Sequence, residues 1–175
     1  MQQILVNFVI RESNILGFFL LKQLPLIKFF IYYISSIITK LQAEQMAIEA
    51  LIEQALEQRN FARASFSNFR VGAILVTQNN EIYSGCNIET SSYGLTICAE
   101  RVAIFKAVSE GETEFKSIFI ASDSDKFTPP CGACRQVLWE LAGNIDVFMI
   151  NRFGEHQKKS MKELLPLGFD KSFLT

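Results

Sequence analysis

The residues able to do chemistry stand in two short strings, Cys98-Ala99-Glu100 and Pro130-Cys131-Gly132-Ala133-Cys134. Each lies where an irregular loop gives way to a helix-forming run. A helix N-terminus presents unpaired N–H groups and a partial positive charge, which favours the thiolate that a metal needs. Cys131 and Cys134, three apart, share one helical face and can grip a single ion, with Cys98 as third thiolate. Three protein ligands leave a fourth position for water, the arrangement of a catalytic rather than a structural zinc, and Glu100 is the base at hand.

Two difficulties come with that arrangement. Residues two apart on a regular helix face nearly opposite ways, so Cys98 and Glu100 can both approach an ion only at the first turn. Zn²⁺ with three thiolates carries a net charge of −1, which weakens a bound water as an acid, so something must offset it. Arg101, three residues after Cys98, could donate to the thiolates, and Arg135 is a second candidate. Alone, C-x-x-C also marks structural zinc modules and redox pairs. Cys86, among apolar strand neighbours, reads as a core residue rather than a fourth ligand. The C-A-E string with P-C-x-x-C downstream matches the zinc-deaminase pattern, with Cys98 in place of its histidine.

Composition narrows the field. The chain has 175 residues, 49% hydrophobic and 20% charged, enough for one domain with a core. Residues 1–45 carry Arg11, Lys22, Lys28 and Lys40 against Glu12 and Glu44, a net of +2. With 17 positive and 18 negative residues in all, the remainder holds 13 against 16, a net of −3. An acidic domain is poorly suited to a phosphate backbone, which argues against nucleic acid. His156 is the single histidine, which excludes histidine-rich metal centres, and no G-x-S-x-G supports a serine triad. The cysteine pattern suits a reducing cytoplasm.

The elements that must position these side chains follow from periodicity. Residues 4–39 are strongly apolar, but Lys22 and Lys28 keep any uncharged run below the ~18 residues of a spanning helix. The start MQQILV offers no secretory pattern. An amphipathic helix, AIEALIEQALEQRNFA, begins after Met46. The expected organisation is therefore an apolar extension over 1–45, read as sequence upstream of a start at Met46 or as a membrane- or partner-binding extension, and a domain over 46–175 with no membrane role. VGAILVT (71–77) and IYSGCNI (82–88) read as a hairpin. A helix from about Ile97 to Gly111, a strand at 117–122, a helix closed by Gly143, a strand at 145–150 and a short helix at 161–166 ended by Pro166 follow. The pattern is a three-layer α/β/α arrangement.

Residues 46–175 resemble the short-chain, homotetrameric cytidine deaminases over nearly their whole length, through FRVGA (69–73), GCNIE (85–89), CAER (98–101) and PCGACRQ (130–136) in that order. The resemblance implies a mixed five-stranded sheet with helices on both faces and one Zn²⁺ per subunit. It further implies hydrolytic deamination of cytidine and 2′-deoxycytidine to uridine and 2′-deoxyuridine with release of ammonia, in cytoplasmic pyrimidine salvage by a homotetramer. Asn87 and Glu89 would bind the ribose hydroxyls and Phe69 would pack on the pyrimidine. The Ala99 N–H would meet the pyrimidine carbonyl, and the Pro129 carbonyl the departing ammonia. Tyr93 and Phe169 match aromatics lent to a neighbouring subunit's site. Ser65-Phe66-Ser67 departs from the family's Pro-Tyr-Ser, and Gly94 stands where some members have proline. Two alternatives stay open: a blasticidin-type deaminase, against which the N-I-E string argues, and a structural-zinc binding module using Cys86 as a fourth ligand.

Overall fold

How deeply each strand is buried sets its place in the sheet. The computed structural model describes residues 25–174; the first 24 residues of the expected extension, and Thr175, lie outside them. β1 (Val71–Thr77), β3 (Phe115–Ser122) and β4 (Asp146–Ile150) are apolar and almost wholly buried, whereas β2 (Ile82–Cys86) is half-buried and β5 (His156–Ser160) is largely open. The order is accordingly β2-β1-β3-β4-β5, with the buried strands inside and the less buried ones at the edges. β1 pairs antiparallel with β2, from Gly72↔Cys86 to Val76↔Ile82, and also with β3; β4 pairs antiparallel with β5. β3 and β4 run parallel, from Ser117↔Asp146 to Ala121↔Ile150. The connection between them carries α3 (Gly132–Ala142).

Alternation along the strands feeds two cores. On one face Ala73, Leu75, Ile118, Ile120, Val147 and Met149 pack with α2 (Ala99–Ser109), α3 and α4 (Met161–Leu164), through residues such as Ala103, Ile104, Leu138 and Met161. On the other, Ile74, Val76, Phe119, Ala121, Phe148 and Ile150 pack with Ile52 and Ala55 of α1 (Pro25–Gln58). Phe119 and Phe148, register partners, stack at 4.3 Å between centroids. Helices thus cover both faces of a mixed five-stranded sheet, the α/β/α sandwich expected from the sequence.

Two glycines let helices come close enough to do this. A Cβ on Gly72 would lie 2.4 Å from the Ala55 carbonyl oxygen, and one on Gly85 would lie 2.3 Å from the Ala99 carbonyl oxygen. Both belong to the strings singled out above. Gly143, at φ 73°, closes α3 as expected.

Two elements differ from expectation. α1 spans Pro25–Gln58 among the described residues rather than starting after Met46, and gives way after Gln58 to a single 3₁₀ turn at Arg59–Phe61. No breaker interrupts the chain between those limits. The chain divides into two units between Ala47 and Ile48. In the first, side chains from Lys28 to Ala47 are exposed; in the second, Ile48, Leu51, Ile52, Ala55 and Leu56 pack on the sheet. The second difference is β5, HQKKS, which has no apolar alternation and is held by its ladder with β4.

Candidate functional site

The two helix starts converge. Cys98 is the N-cap of α2, at φ −73° and ψ 154°, and Cys131 is the N-cap of α3, at φ −65° and ψ 166°. Neither thiol caps its own helix, which leaves both free to turn elsewhere. The sulfurs of Cys98, Cys131 and Cys134 lie within 4.8 Å of one another, Cys98 and Cys131 at 4.0 Å. Three sulfurs at about 2.3 Å from one tetrahedral zinc would stand about 3.8 Å apart, so the trio fits that ion with little adjustment. Cys86 stands outside the cluster at the end of β2. The extended backbone at Cys98 also removes the spacing difficulty: Cys98 is not yet helical, and Glu100 is the second helical residue.

Charge is arranged around the thiols. The Cys134 thiol donates to Cys98 and, with the Arg101 guanidinium beside it, holds the Cys98 thiol down at about 5. The same contact, together with burial, pushes Cys134 up. Arg101 Nη2 donates to Cys98 Sγ at 3.5 Å and to the Thr96 carbonyl at 3.4 Å. Arg135 is placed otherwise: its Nε donates to the Pro130 carbonyl at 2.8 Å and its Nη1 to the Leu164 carbonyl at 3.0 Å. It holds the loop ahead of Cys131 rather than the thiols. Glu100 is buried, 5% exposed, and that burial, with the Cys98 charge behind it, pushes its carboxyl above the ordinary carboxylate range. Ala99, fully buried, opens α2, where its N–H has no partner within the helix.

A second group joins the strip after β2 to the loop before β1. The Asn87 side chain accepts from the Val71 N–H at 2.8 Å and donates to the Phe69 carbonyl at 2.9 Å. The Glu89 carboxylate accepts from the N–H groups of Phe66 and Ser67, at 2.7 and 3.1 Å, and from the Ser67 hydroxyl. These bonds, the hydroxyl's first, hold its carboxyl below the usual range. An isolated antiparallel bridge between Ile88 and Ile97 joins this strip to the residue before Cys98. Both expected ribose contacts therefore also shape the loop that carries Phe69, which spacing alone did not disclose. Phe69 itself is 37% exposed.

Tyr93 and Phe169 are surface aromatics. Tyr93 packs edge-on against Phe66 at 5.3 Å, and Phe169 stacks on Phe173 at 5.4 Å while its carbonyl accepts from Gln136 Nε2 at 2.7 Å. No helix among the described residues is long and apolar enough to cross a membrane.

The chain is similar in sequence and fold to known proteins. Residues 43–150 match the model of the cytidine and deoxycytidylate deaminase zinc-binding region. The cytidine deaminase of Sporosarcina psychrophila is 42% identical over 131 residues, 74% of this chain and 96% of that protein. The crystal structure of a cytidine deaminase from Burkholderia pseudomallei superposes with a TM-score of 0.67 at 43% identity, covering 69% of this chain and 97% of that one. The blasticidin-S deaminase of Bacillus cereus is more distant, 34% identical over 110 residues, 58% of this chain and 78% of that protein.

Proposed function

The chain belongs to the family of cytidine and deoxycytidylate deaminases, and from that membership we propose that it converts free cytidine and 2′-deoxycytidine, with water, to uridine and 2′-deoxyuridine plus ammonia. It is a zinc-dependent hydrolase. The observation that carries the reading is a trio of thiols at two helix starts with a buried carboxylate two residues from one of them. Cys98, Cys131 and Cys134 would hold one zinc per subunit, and that ion would supply a water acidified enough to act as a nucleophile near neutral pH.

The chain's own groups do the rest. Glu100 accepts one proton of the attacking water at a carboxylate oxygen and gives it to ring N3, then takes the remaining proton from the new C4 hydroxyl and gives it to the amine as the C4–N bond breaks and the carbonyl forms. Burial raises its proton affinity, which suits a group that must take a proton up and give it back. Arg101 offsets the excess negative charge of three thiolates, and the two helix N-termini add to that. Asn87 and Glu89 meet the ribose hydroxyls, Phe69 packs on the pyrimidine, the Ala99 N–H meets its carbonyl and the Pro129 carbonyl receives the ammonia. Fixing the sugar in this way positions C4 for attack.

The exposed Tyr93 and Phe169 support a homotetramer whose subunits complete one another's sites. Unpaired cysteines and an acidic balance support a cytoplasmic enzyme of pyrimidine salvage that binds no nucleic acid. The unit from about Met46 onward is the deaminase domain, and the stretch before it is an extension outside the chemistry. The blasticidin-type alternative has only the more distant relative behind it, and a structural-zinc module would leave the buried Glu100 without a role. An ultraviolet assay of cytidine, 2′-deoxycytidine and cytosine with the full chain tests the substrate class. Turnover of the two nucleosides alone is expected; turnover of cytosine at a comparable kcat/KM contradicts the ribose contacts.

A further inference from the structure

We infer that Ser67 is a positioning residue that ties the ribose contact at Glu89 to the base contact at Phe69, an inference that rests on the nucleoside-binding roles proposed above for those two residues. A serine hydroxyl has one proton to donate and lone pairs to accept with. Here the proton goes to Glu89 Oε1, and the same oxygen accepts the Phe69 N–H at 3.0 Å. One atom thus joins the carboxylate expected at the sugar to the backbone of the ring expected at the pyrimidine.

The surrounding bonds make this link a constraint on the loop. Glu89 Oε2 takes the N–H groups of Phe66 and Ser67, so three donors from two adjacent residues converge on one carboxylate. The carbonyl of Phe69 is held from the other side by Asn87 Nδ2 at 2.9 Å. Both backbone polar groups of Phe69 are therefore satisfied by side chains, one from Ser67 and one from Asn87. Between Ser67 and Phe69 stands Asn68 at φ 55°, a left-handed conformation that asparagine adopts more readily than other non-glycine residues. With its backbone fixed at both ends, the Phe69 ring retains only its side-chain torsions. A shift of the Glu89 carboxylate is passed through the hydroxyl to the ring, and Ser67→Ala removes that path while leaving two N–H donors on Glu89.

The test compares Ser67→Ala, Ser67→Thr, Glu89→Gln, Phe69→Ala and the double variant Ser67→Ala/Glu89→Gln as full chains with cytidine, following kcat, KM, zinc content and melting temperature. Ser67→Ala is expected to raise KM about tenfold while kcat stays within about twofold, as loss of a hydrogen bond to a charged group acting in binding would do. Zinc content should not change. Ser67→Thr, which restores a hydroxyl, should return KM to within about twofold of the parent. In the double variant, Glu89→Gln should raise KM by a smaller factor than it does alone, because both changes act through one contact. Parental KM in Ser67→Ala, a lowered melting temperature without a KM effect, or independent KM factors in the double variant would overturn the inference. If Glu89→Gln and Phe69→Ala each leave KM unchanged, the nucleoside-binding roles themselves fall, a result distinct from a silent Ser67.

Discussion

Ile88 and Ile97 exchange two backbone hydrogen bonds, from the Ile88 N–H to the Ile97 carbonyl at 2.9 Å and from the Ile97 N–H to the Ile88 carbonyl at 3.1 Å. Asn87 and Glu89 flank one partner and Cys98 follows the other, so the residues proposed to meet the sugar and the first thiol share a ladder. Through the parallel bridge of Arg63 to Ile88, the loop toward Phe69 joins it as well. The spacing of Asn87 and Glu89 from Cys98 is thereby set by backbone pairing.

Gly85 tests how closely α2 must approach that ladder. A Cβ there would meet the Ala99 carbonyl oxygen at 2.3 Å and the Ala103 nitrogen at 2.6 Å, both backbone atoms that cannot swing aside. Gly85→Ala is expected to cost about 1–3 kcal/mol, as overpacking does. It should also lower zinc content, because the helix it displaces begins at Cys98. Thermal melting and metal analysis of the same sample check both; a variant with parental melting temperature and full zinc would show that the helix can yield.

Glu100 separates proton transfer from metal binding. Glu100→Gln keeps the size and burial of the side chain but cannot carry the proton, so turnover should fall more than about a hundredfold. Zinc content should remain at one per subunit. Retained activity in a zinc-loaded variant would remove Glu100 from the mechanism.

The metal trio was legible in the sequence because its geometry is local. A C-x-x-C at a helix start puts two sulfurs on one turn wherever the helix lies, and the distant Cys98 announced itself by its neighbour Glu100. Arg101 was legible for the same reason. Arg135 was not: its guanidinium reaches the carbonyls of Pro130 and Leu164, and a long side chain's choice among acceptors depends on packing that spacing does not encode. The clasp of Ser67, Asn87 and Glu89 around Phe69 joins residues about twenty apart through hydrogen bonds, which leave no periodic trace. β5 escaped because HQKKS is an edge strand defined by its partner's backbone rather than by apolar alternation. The long reach of α1 escaped because an exposed helix has no buried stripe to reveal its limits.

Cysteine replacement distinguishes a catalytic zinc from a structural one. Cys98→Ala, Cys131→Ala and Cys134→Ala should each lose zinc and activity together, since removing one of three thiolates leaves an incomplete set. Cys86→Ser should keep both, its thiol standing outside the cluster. Loss of zinc in Cys86→Ser, measured by metal analysis after dialysis against a weak chelator, would revive the four-cysteine structural reading.

The last turn of the fold gives a pH-dependent test away from the metal. Ser160 and Glu163 form a reciprocal cap on α4: the Glu163 N–H donates to the Ser160 hydroxyl oxygen at 3.2 Å, and the Ser160 N–H donates to Glu163 Oε2 at 2.8 Å. That bond, with Lys159 at 2.9 Å, lowers the Glu163 carboxyl to about 2. A folded pKa below the unfolded value means that the cap's contribution is complete above the unfolded carboxylate range near pH 4.5. It is lost as the pH falls through that range toward 2. Comparing the chain with Glu163→Gln, the difference in denaturation midpoint should be largest at neutral pH and shrink progressively between about pH 4.5 and 2. Because both proteins share every other acid-sensitive group, including the thiols, that difference isolates the cap. A difference that stays constant across the range would mean that the Glu163 carboxylate contributes through packing and not through its charge.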